Sequence, residues 1–373
     1  MSTAILENAS PAYDERRDQF VDRILQSVGG LFDVFAIFIG HWLGLYKVLA
    51  EGHCVTSEEL AARSGIDERY AREWLEQQTV TGVLQVDNEW LSPRQRGYLL
   101  PASHAEVLTD TDSLNYLAPL AQLAAGAVSP IDALLEAYRT GSGVPFADYG
   151  EDVRVGQAGM NRALCLQTLG KQWLPSIDDI HERLSQPTPA RVADFGCGYG
   201  YSSIGIALAY PSALVDGYDL DEASIRKARE LAREYGVDDR VSFHCRDAGD
   251  EALPGDYDLV FALECIHDMG DPVCALDNMR RLAKTDGAIL VVDERVGDEF
   301  TATGNEVEWM MYGWSILHCL PVGIADGGGC SCAATGTVMR RPVLQRYAEQ
   351  AGFSRLETLP IDNYFFYVYR LHR

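Results

Sequence analysis

The sequence is poor in basic residues. Of its 373 residues, 31 are Lys or Arg and 55 are Asp or Glu, which gives a formal net charge of −24 at pH 7. Non-specific affinity for nucleic acid comes mainly from Lys and Arg side chains that neutralise phosphates. Nucleic acid is therefore disfavoured as a partner of this protein.

The sequence also lacks a signal peptide and a disulfide framework. Its first fifteen residues, "MSTAILENASPAYDE", have neither a basic start nor an apolar centre, and we interpret them as a polar tail. The 9 cysteines are odd in number and scattered, which is typical of reduced thiols. Cys330 and Cys332 form one close pair, and His318 and Cys319 could add ligands, but no second pair completes a metal-binding spacing. We expect free thiols, no metal and a cytoplasmic protein.

One long stretch, residues 31–50, is almost entirely apolar: "LFDVFAIFIGHWLGLYKVLA". As a membrane span it would place Asp33, His41 and Lys47 in the bilayer, so we predict a buried helix and no membrane association. A helix that is apolar nearly all round needs cover on several sides, either from its own domain or from a second copy of the chain. This is the main reason to expect a homodimer formed through the N-terminal domain.

Residues 56–91 have the pattern of a winged helix-turn-helix. Thr56 and Glu59 form a capping box before one helix, and Asp67 can cap a second helix. The stretch "GVLQVDNEWLS" predicts two short strands about an Asp-Asn turn. The candidate recognition helix, "DERYAREWLEQQ", carries four acidic residues against two arginines, so it would meet phosphates with a negative face. We interpret the unit as a packing and dimerisation module rather than a DNA-binding one.

From about residue 186, strands alternate with helices. The predicted strands are "ARVADFG", "LVDGYDL", "VSFHCRD", "YDLVFALE" and "GAILVVDE". This alternation predicts an α/β fold with a mostly parallel, doubly wound, Rossmann-like sheet that binds its ligand at the carboxyl ends of the strands. We place an α-rich winged-helix domain at 1–104, a helical connector at 105–185, and the sheet domain at 186–373 with a substrate-lid insertion at 300–340.

The first of these strands ends in a glycine-rich loop, "VADFGCGYG". Such a loop at a helix N-terminus suits a nucleotide-like ligand, and Asp219 after the second strand suits a ribose diol, which NAD and S-adenosylmethionine (SAM) share. The last glycine comes one residue earlier than in the dinucleotide fingerprint. The carboxylate of Asp194 would repel a pyrophosphate but would suit the ammonium group of a methionine. The loop favours SAM, with an NAD-dependent oxidoreductase as an alternative.

The order and spacing of the strand ends resemble the class I SAM-dependent methyltransferases over roughly residues 186–300. The segments that carry the resemblance are "VADFGCGYG", "GYDLD", "RDA", "ECIHDMGDP" and "RRLAKTDGAILVVDE". The chain is also similar to an actinobacterial group, often labelled transcriptional regulators, in which a winged helix precedes this fold. The segments shared with that group are "EVEWMMYGWSILHCLPVG" and "GTVMR", whereas "GGGCSC" departs from it.

The resemblance implies SAM as the cofactor, S-adenosyl-L-homocysteine as its product, and a set of cofactor-binding positions. By position, Asp194, Gly196, Gly198 and Gly200 would surround the methionine part, Asp219 the ribose, Leu220, Asp247 and Ala248 the adenine, and Glu264 the region beside the sulfonium.

The insertion at 300–340 is mainly apolar and aromatic, which favours a small hydrophobic or aromatic acceptor over a charged polymer. Aromatic faces attract a sulfonium cation, although any one of these side chains could equally be an ordinary core residue. The expected pocket residues are Trp309, Tyr312, Trp314 and His318.

An acceptor hydroxyl or acidic carbon needs a base near the transferred methyl group. We expect His267 in this role, with His318, Glu264 and Glu294 as alternatives. The sequence therefore predicts a homodimeric methyltransferase that modifies oxygen, nitrogen or carbon of a small molecule, with secondary metabolism as its expected setting. A SAM-sensing winged-helix transcriptional regulator is the alternative outside enzymology.

Overall fold

The computed structural model describes residues 11–327 and 332–373. The chain divides into two compact units, one that ends at Ala124 and one that comprises Ala125–Arg373. The segment predicted as a connector, residues 105–185, is thereby divided between the two units. Cys330, one half of the close thiol pair, lies outside the described residues.

The first unit is α-rich and carries a small two-stranded sheet. Its elements are α1 (Pro11–Trp42), α2 (Leu45–Leu49), α3 (Ser57–Ser64), α4 (Glu68–Val80), β1 (Gln85–Val86), β2 (Tyr98–Leu99) and α5 (Ala102–Thr109). Both predicted caps are present: Thr56 forms the capping box with Glu59, and the Asp67 side chain accepts from the backbone N–H of Arg69 in the first turn of α4.

The wing of this unit differs from the prediction. β1 pairs antiparallel with β2, and not with residues immediately after the Asp-Asn turn. The Asp87 carboxylate accepts from the backbone N–H groups of both Asn88 (2.6 Å) and Gly97 (2.9 Å), which closes a longer loop. The prediction of two short strands about the Asp-Asn turn within residues 82–92 is therefore right for the first strand and wrong for the second, which lies at Tyr98–Leu99.

Helix α1 also departs from the prediction of a buried helix at 31–50. It is already helical at Pro11, inside the predicted polar tail, and it ends at Trp42, before Gly44 turns the chain in a left-handed conformation (φ 69°). Its apolar side chains lie largely uncovered by the chain itself, as Phe20 (60%) and Leu25 (65% exposed) illustrate. By length and composition alone, Tyr13–Trp42 could cross a membrane. The prediction of a helix buried within its own domain is therefore wrong for most of its length, and cover by a second copy of the chain, the other possibility that the sequence left open, is not tested by the structure of one chain.

The second unit contains the large sheet and the helices around it. Its helices are α6 (Ala118–Val128), which begins in the first unit, α7 (Ile131–Thr140), α8 (Gly150–Ala163), α9 (Asp178–Leu184), α10 (Tyr201–Ala209), α11 (Glu222–Glu234), α12 (Pro272–Leu282), α13 (Glu306–Trp314), α14 (Leu320–Asp326) and α15 (Arg341–Gln350). Its strands are β3 (Arg191–Phe195), β4 (Leu214–Asp219), β5 (Val241–Cys245), β6 (Tyr257–Leu263), β7 (Ala283–Glu294), β8 (Arg355–Thr358) and β9 (Phe366–His372). Two π-helical segments, Leu164–Trp173 and Ser315–Cys319, extend α8 and join α13 to α14.

The seven strands lie in the order β5-β4-β3-β6-β7-β9-β8. Neighbouring strands from β5 to β7 pair in parallel, and β9 pairs antiparallel with both β7 and β8. Because side chains alternate along a strand, each strand contributes to two cores: Val192 and Leu259 face one, whereas Ala193 and Val260 face the other. The predicted mostly parallel, doubly wound sheet is confirmed, and its carboxyl edge gathers the polar strand ends.

Candidate active site

The glycine loop turns the chain sharply between β3 and α10. Gly196, Gly198 and Gly200 all have positive φ angles, of 64°, 51° and 78°. A Cβ atom on Gly200 would lie 2.3 Å from the Phe243 ring, whereas one on Gly198 would meet no atom of the described residues within 4 Å. The loop is thus packed against the protein at Gly200 and open at Gly198, where a ligand can approach the backbone.

Asp194, at the end of β3, is almost completely buried. Its Oδ2 accepts hydrogen bonds from the hydroxyls of Ser202 (2.5 Å) and Ser203 (2.6 Å), so α10 fixes one side of the carboxyl group. Burial raises the pKa of Asp194 to about 6, against the opposing effect of the two hydroxyls. Within the described residues its Oδ1 has no hydrogen-bond partner, which leaves it able to accept from an ammonium group or a bridging water.

Asp219 closes β4 and is held by two backbone amides. Its Oδ2 accepts from the N–H of Gly198, and its Oδ1 from the N–H of Asp221, both at 2.8 Å. Each carboxylate oxygen keeps a further lone pair for a ribose hydroxyl, so the geometry fits the diol of SAM. Leu220, the next residue, is 56% exposed and is available to cover an adenine ring.

The turn after β5 holds the other two positions expected at the adenine. Asp247 accepts from the backbone N–H of Gly249 (2.7 Å), and the carbonyl of Ala248 accepts from the side chain of Asn278. These bonds fix the turn itself. The structure brings the turn to the same edge of the sheet as Asp219, because β4 and β5 are parallel neighbours.

Glu264 follows β6 and combines an unusual backbone with a half-buried side chain. Its φ angle is 51°, which is uncommon for a residue other than glycine. The carboxylate accepts hydrogen bonds from the side-chain amides of Asn161 (2.5 Å) and Gln157 (3.2 Å). Burial raises the pKa of Glu264 to about 8, and the charge of Glu294 contributes in the same direction.

His267 is buried in a short turn after β6 and is surrounded by carboxylates. Its Nδ1 lies 3.0 Å from Asp293 Oδ1 and 3.2 Å from Glu294 Oε2, and its Nε2 lies 3.3 Å from Asp268 Oδ1. Burial by itself lowers the pKa of His267, but the negative charges of Glu294, Asp293 and Asp268 outweigh it and raise the pKa well above the ordinary value. Of the candidate bases, the structure brings His267, Glu294 and Glu264 together.

Glu294 ends β7 beside Asp293. Burial raises its pKa to about 8, and the nearby His267 opposes this rise. His267 with Asp293 and Glu294 could geometrically hold a metal ion, as could His267 with Asp268 and Cys319. The imidazole is hydrogen-bonded to Asp293, whereas Glu294 Oε2 and Asp268 Oδ1 are buried without a hydrogen-bond partner among the described residues.

The insertion after β7 brings His318 toward this cluster on a π-helical segment. Its ring makes edge contacts with Tyr149 (4.6 Å between centroids) and Phe146 (5.7 Å), and burial lowers its pKa, so the imidazole is neutral. Its Nε2 is buried without a partner among the described residues. The adjacent Cys319 lies within 4.8 Å of the His267 and Asp268 ligand atoms, so this segment covers the His267 turn.

The three expected pocket aromatics have different surroundings. Trp309 is 71% exposed, the hydroxyl of Tyr312 accepts from Arg340 at 3.3 Å, and Trp314 packs against a small cluster that contains Met311. Of the four expected pocket residues, His318 is the one whose contacts lead toward His267.

Sequence reasoning missed three polar residues of α8: Arg154, Gln157 and Asn161. The signal was present as a spacing of i, i+3 and i+7, which places them on one face of a helix. Their partners, Asp221 and Glu264, are 67 to 107 residues away in the chain, which no local pattern predicts.

Residues 189–336 match the family described as "Methyltransferase domain", and residues 33–110 match the "Rv2258c-like winged HTH domain". The chain therefore joins a winged-helix domain to a methyltransferase domain, and the predicted class and architecture are confirmed.

Individual relatives agree with this class. Over 104 residues, 28% of this chain, the sequence is 33% identical to 27-O-demethylrifamycin SV methyltransferase of Amycolatopsis mediterranei; the match spans 38% of that relative. The fold is similar to mitomycin 7-O-methyltransferase (TM-score 0.68, 20% identity, 98% of this chain and 100% of that chain). It is also similar to human N-acetylserotonin methyltransferase in complex with SAM (TM-score 0.69, 17% identity, 94% and 97%). At these identities the two structures show the shared fold.

Proposed function

We propose that the protein transfers a methyl group from SAM to a small apolar or aromatic acceptor. The observation that carries the proposal is His267, buried among carboxylates at the strand ends that also supply the SAM-binding positions. When bound, SAM supplies an electrophilic methyl group. Transfer from a positive sulfonium to a neutral nucleophile creates no new anion, so the protein must align the two partners, exclude water and manage a proton.

The proton of the acceptor goes to Nε2 of His267. Asp293 accepts from Nδ1–H at 3.0 Å and so fixes the ring; Nε2 faces the Asp268 carboxylate at 3.3 Å and must lose its own proton before it can accept that of the acceptor. The neighbouring carboxylates then stabilise the imidazolium that forms, as a carboxylate does in a catalytic triad. Because the base must start unprotonated, we expect the rate of methyl transfer to rise with pH through the raised pKa of His267.

The acceptor binds beneath the segment that carries His318. Phe146 and Tyr149 provide aromatic walls beside this neutral imidazole, and its buried Nε2 offers one hydrogen bond to the acceptor. Apolar walls with a single polar group favour a small aromatic molecule with one hydrogen-bonding substituent. Rifamycin and mitomycin, the compounds in the names of two relatives, support secondary metabolism as the setting.

The working form is a homodimer built on α1. The exposed apolar side chains of this helix form a large surface of the kind that marks an interface, and a second copy of the chain is the occupant most consistent with an enzyme of small molecules. All eight cysteines of the described residues are free thiols, which supports a reducing compartment such as the cytoplasm. The arginines of α4 pair with acids of the same helix, Arg69 with Glu73 and Arg72 with Glu68, which disfavours the DNA-binding alternative.

The function is tested with the full-length protein, radiolabelled SAM and a panel of hydroxylated aromatic compounds. We expect methyl transfer to at least one of them, and His267→Ala should lower kcat by about 100-fold or more with SAM affinity unchanged. His372→Ala, which removes a histidine from the far end of β9, serves as the control. Undiminished turnover in His267→Ala would exclude this residue as the base, and binding of NAD in place of SAM would refute the proposed activity.

A further inference from the structure

Helix α8 carries a stripe of three polar side chains, Arg154, Gln157 and Asn161, that we call the α8 stripe. Arg154 donates two hydrogen bonds to Asp221, from Nε at 2.7 Å and from Nη2 at 2.8 Å, and the two side chains are each only 11% exposed. The amides of Gln157 and Asn161 both donate to Glu264. One helix face therefore contacts the turns that follow two different strands, β4 and β6.

The contact made by Arg154 continues to the expected ribose ligand. Asp221 also accepts from the N–H and the hydroxyl of Ser224, at 2.8 and 2.7 Å, so its carboxylate is held from two sides. The backbone N–H of Asp221 donates to Asp219 Oδ1 at 2.8 Å. Arg154 thus fixes, through Asp221, the orientation of the Asp219 carboxylate.

The contact made by the two amides has a different chemical character. Amide N–H groups hold the Glu264 carboxylate in place without contributing a positive charge, whereas Lys or Arg at these positions would neutralise it. Negative charges of Glu294 and Asp268 and the positive charge of His267 also act on Glu264. A carboxylate that is fixed but not paired with a cation suits a ligand that brings its own positive charge.

We propose that the α8 stripe is a positioning element for SAM, in which Arg154 orients the ribose-binding turn and Gln157 with Asn161 orients Glu264 toward the positively charged methionine end. This inference rests on the proposed SAM site. It assigns a cofactor-binding role to a helix that was predicted only as part of a connector, and it divides that role between two parts of one ligand.

The division can be measured by calorimetric titration of the full-length protein with three ligands: SAM, S-adenosylhomocysteine and 5′-methylthioadenosine. The third keeps the nucleoside and the sulfur but lacks the amino-acid end and the positive charge. Arg154→Gln should weaken all three by a similar factor of about ten, and Arg154→Lys should recover part of the loss. The double variant Gln157→Ala/Asn161→Ala should weaken SAM by about tenfold, weaken S-adenosylhomocysteine, which keeps the ammonium group but not the sulfonium charge, by a smaller factor, and leave 5′-methylthioadenosine within about twofold.

Glu151→Gln, an exposed position on the same helix, is the matched control, and circular dichroism confirms that each variant is folded. A purely structural role for α8 predicts equal losses for all three ligands in every variant, and that result would overturn the proposal. So would unchanged affinities in the double variant. If the wild-type protein bound none of the three ligands, the cofactor site itself would fail, and the role of the stripe with it.

Discussion

Asp293 provides the sharpest test of how the site controls His267. The two side chains are joined by a hydrogen bond of 3.0 Å in a buried environment. Asp293→Asn keeps an oxygen that can accept from Nδ1–H and removes one negative charge. A unit charge at about 4 Å is worth about 4 kcal/mol at an effective dielectric constant of about 20. This corresponds to a fall of about 3 in the pKa of His267. The fall is only about 1 if Glu294 and Asp268 move closer to the ring and replace part of the lost attraction.

The titration is followed by NMR of protein labelled at histidine, with His267→Gln used to assign the resonance. Asp286→Asn, at the opposite and exposed end of β7, is the control and should leave the pKa unchanged. Because folding raises the pKa of His267, its contribution to stability is full below the unfolded pKa of about 6.5 and is lost as pH rises through the folded pKa. Asp293→Asn should therefore cost most at low pH. A wild-type pKa near 6.5, or a pKa that rises in Asp293→Asn, would refute this reasoning.

Three further predictions concern the cofactor, the glycine loop and the dimer. Because burial raises the pKa of Glu264 to about 8, SAM should bind more tightly as pH rises from 6 to 9, and Glu264→Gln should flatten this calorimetric profile; a steeper profile would contradict it. Gly200→Ala should lower the free energy of unfolding by about 2 kcal/mol or more in denaturant titrations, because the new Cβ meets a ring, and an equal loss in Gly236→Ala, which faces open space, would count against this cause. Leu25→Asp should yield monomers in sedimentation analysis while Tyr70→Asp, on α4, stays dimeric; a dimeric Leu25→Asp protein would argue for another interface.

The sequence predicted the parts of the site that follow from local pattern. Apolar strands followed by acidic residues predict that Asp194, Asp219 and Glu264 lie close together, because parallel strands bring their carboxyl ends to one edge of the sheet. The parts it could not predict depend on distant pairing. The wing closes through Tyr98, which also pairs with Val55, so the strand lies beyond the turn that local signals favour. Arg154 looks like any polar residue of a helix until its partner, 67 residues away, is known.

The cover of α1 was unpredictable for a related reason. A helix that is apolar nearly all round indicates only that something must cover it. The spacing of apolar residues along the helix cannot show whether a neighbouring helix of the same chain or a second chain covers it, because both remove the same apolar area from water.

At Glu264, where the backbone is left-handed, the stability of the fold and the proposed function make opposite demands on the residue. A non-glycine residue at φ 51° is strained by about 1 kcal/mol, and a half-buried carboxyl group there adds a desolvation cost. Glu264→Gly would relieve both, so we expect a higher Tm together with weaker SAM binding. A screen that selected variants for thermal stability alone would therefore tend to replace Glu264. Thermostabilised forms of the enzyme should be designed with Glu264 kept unchanged.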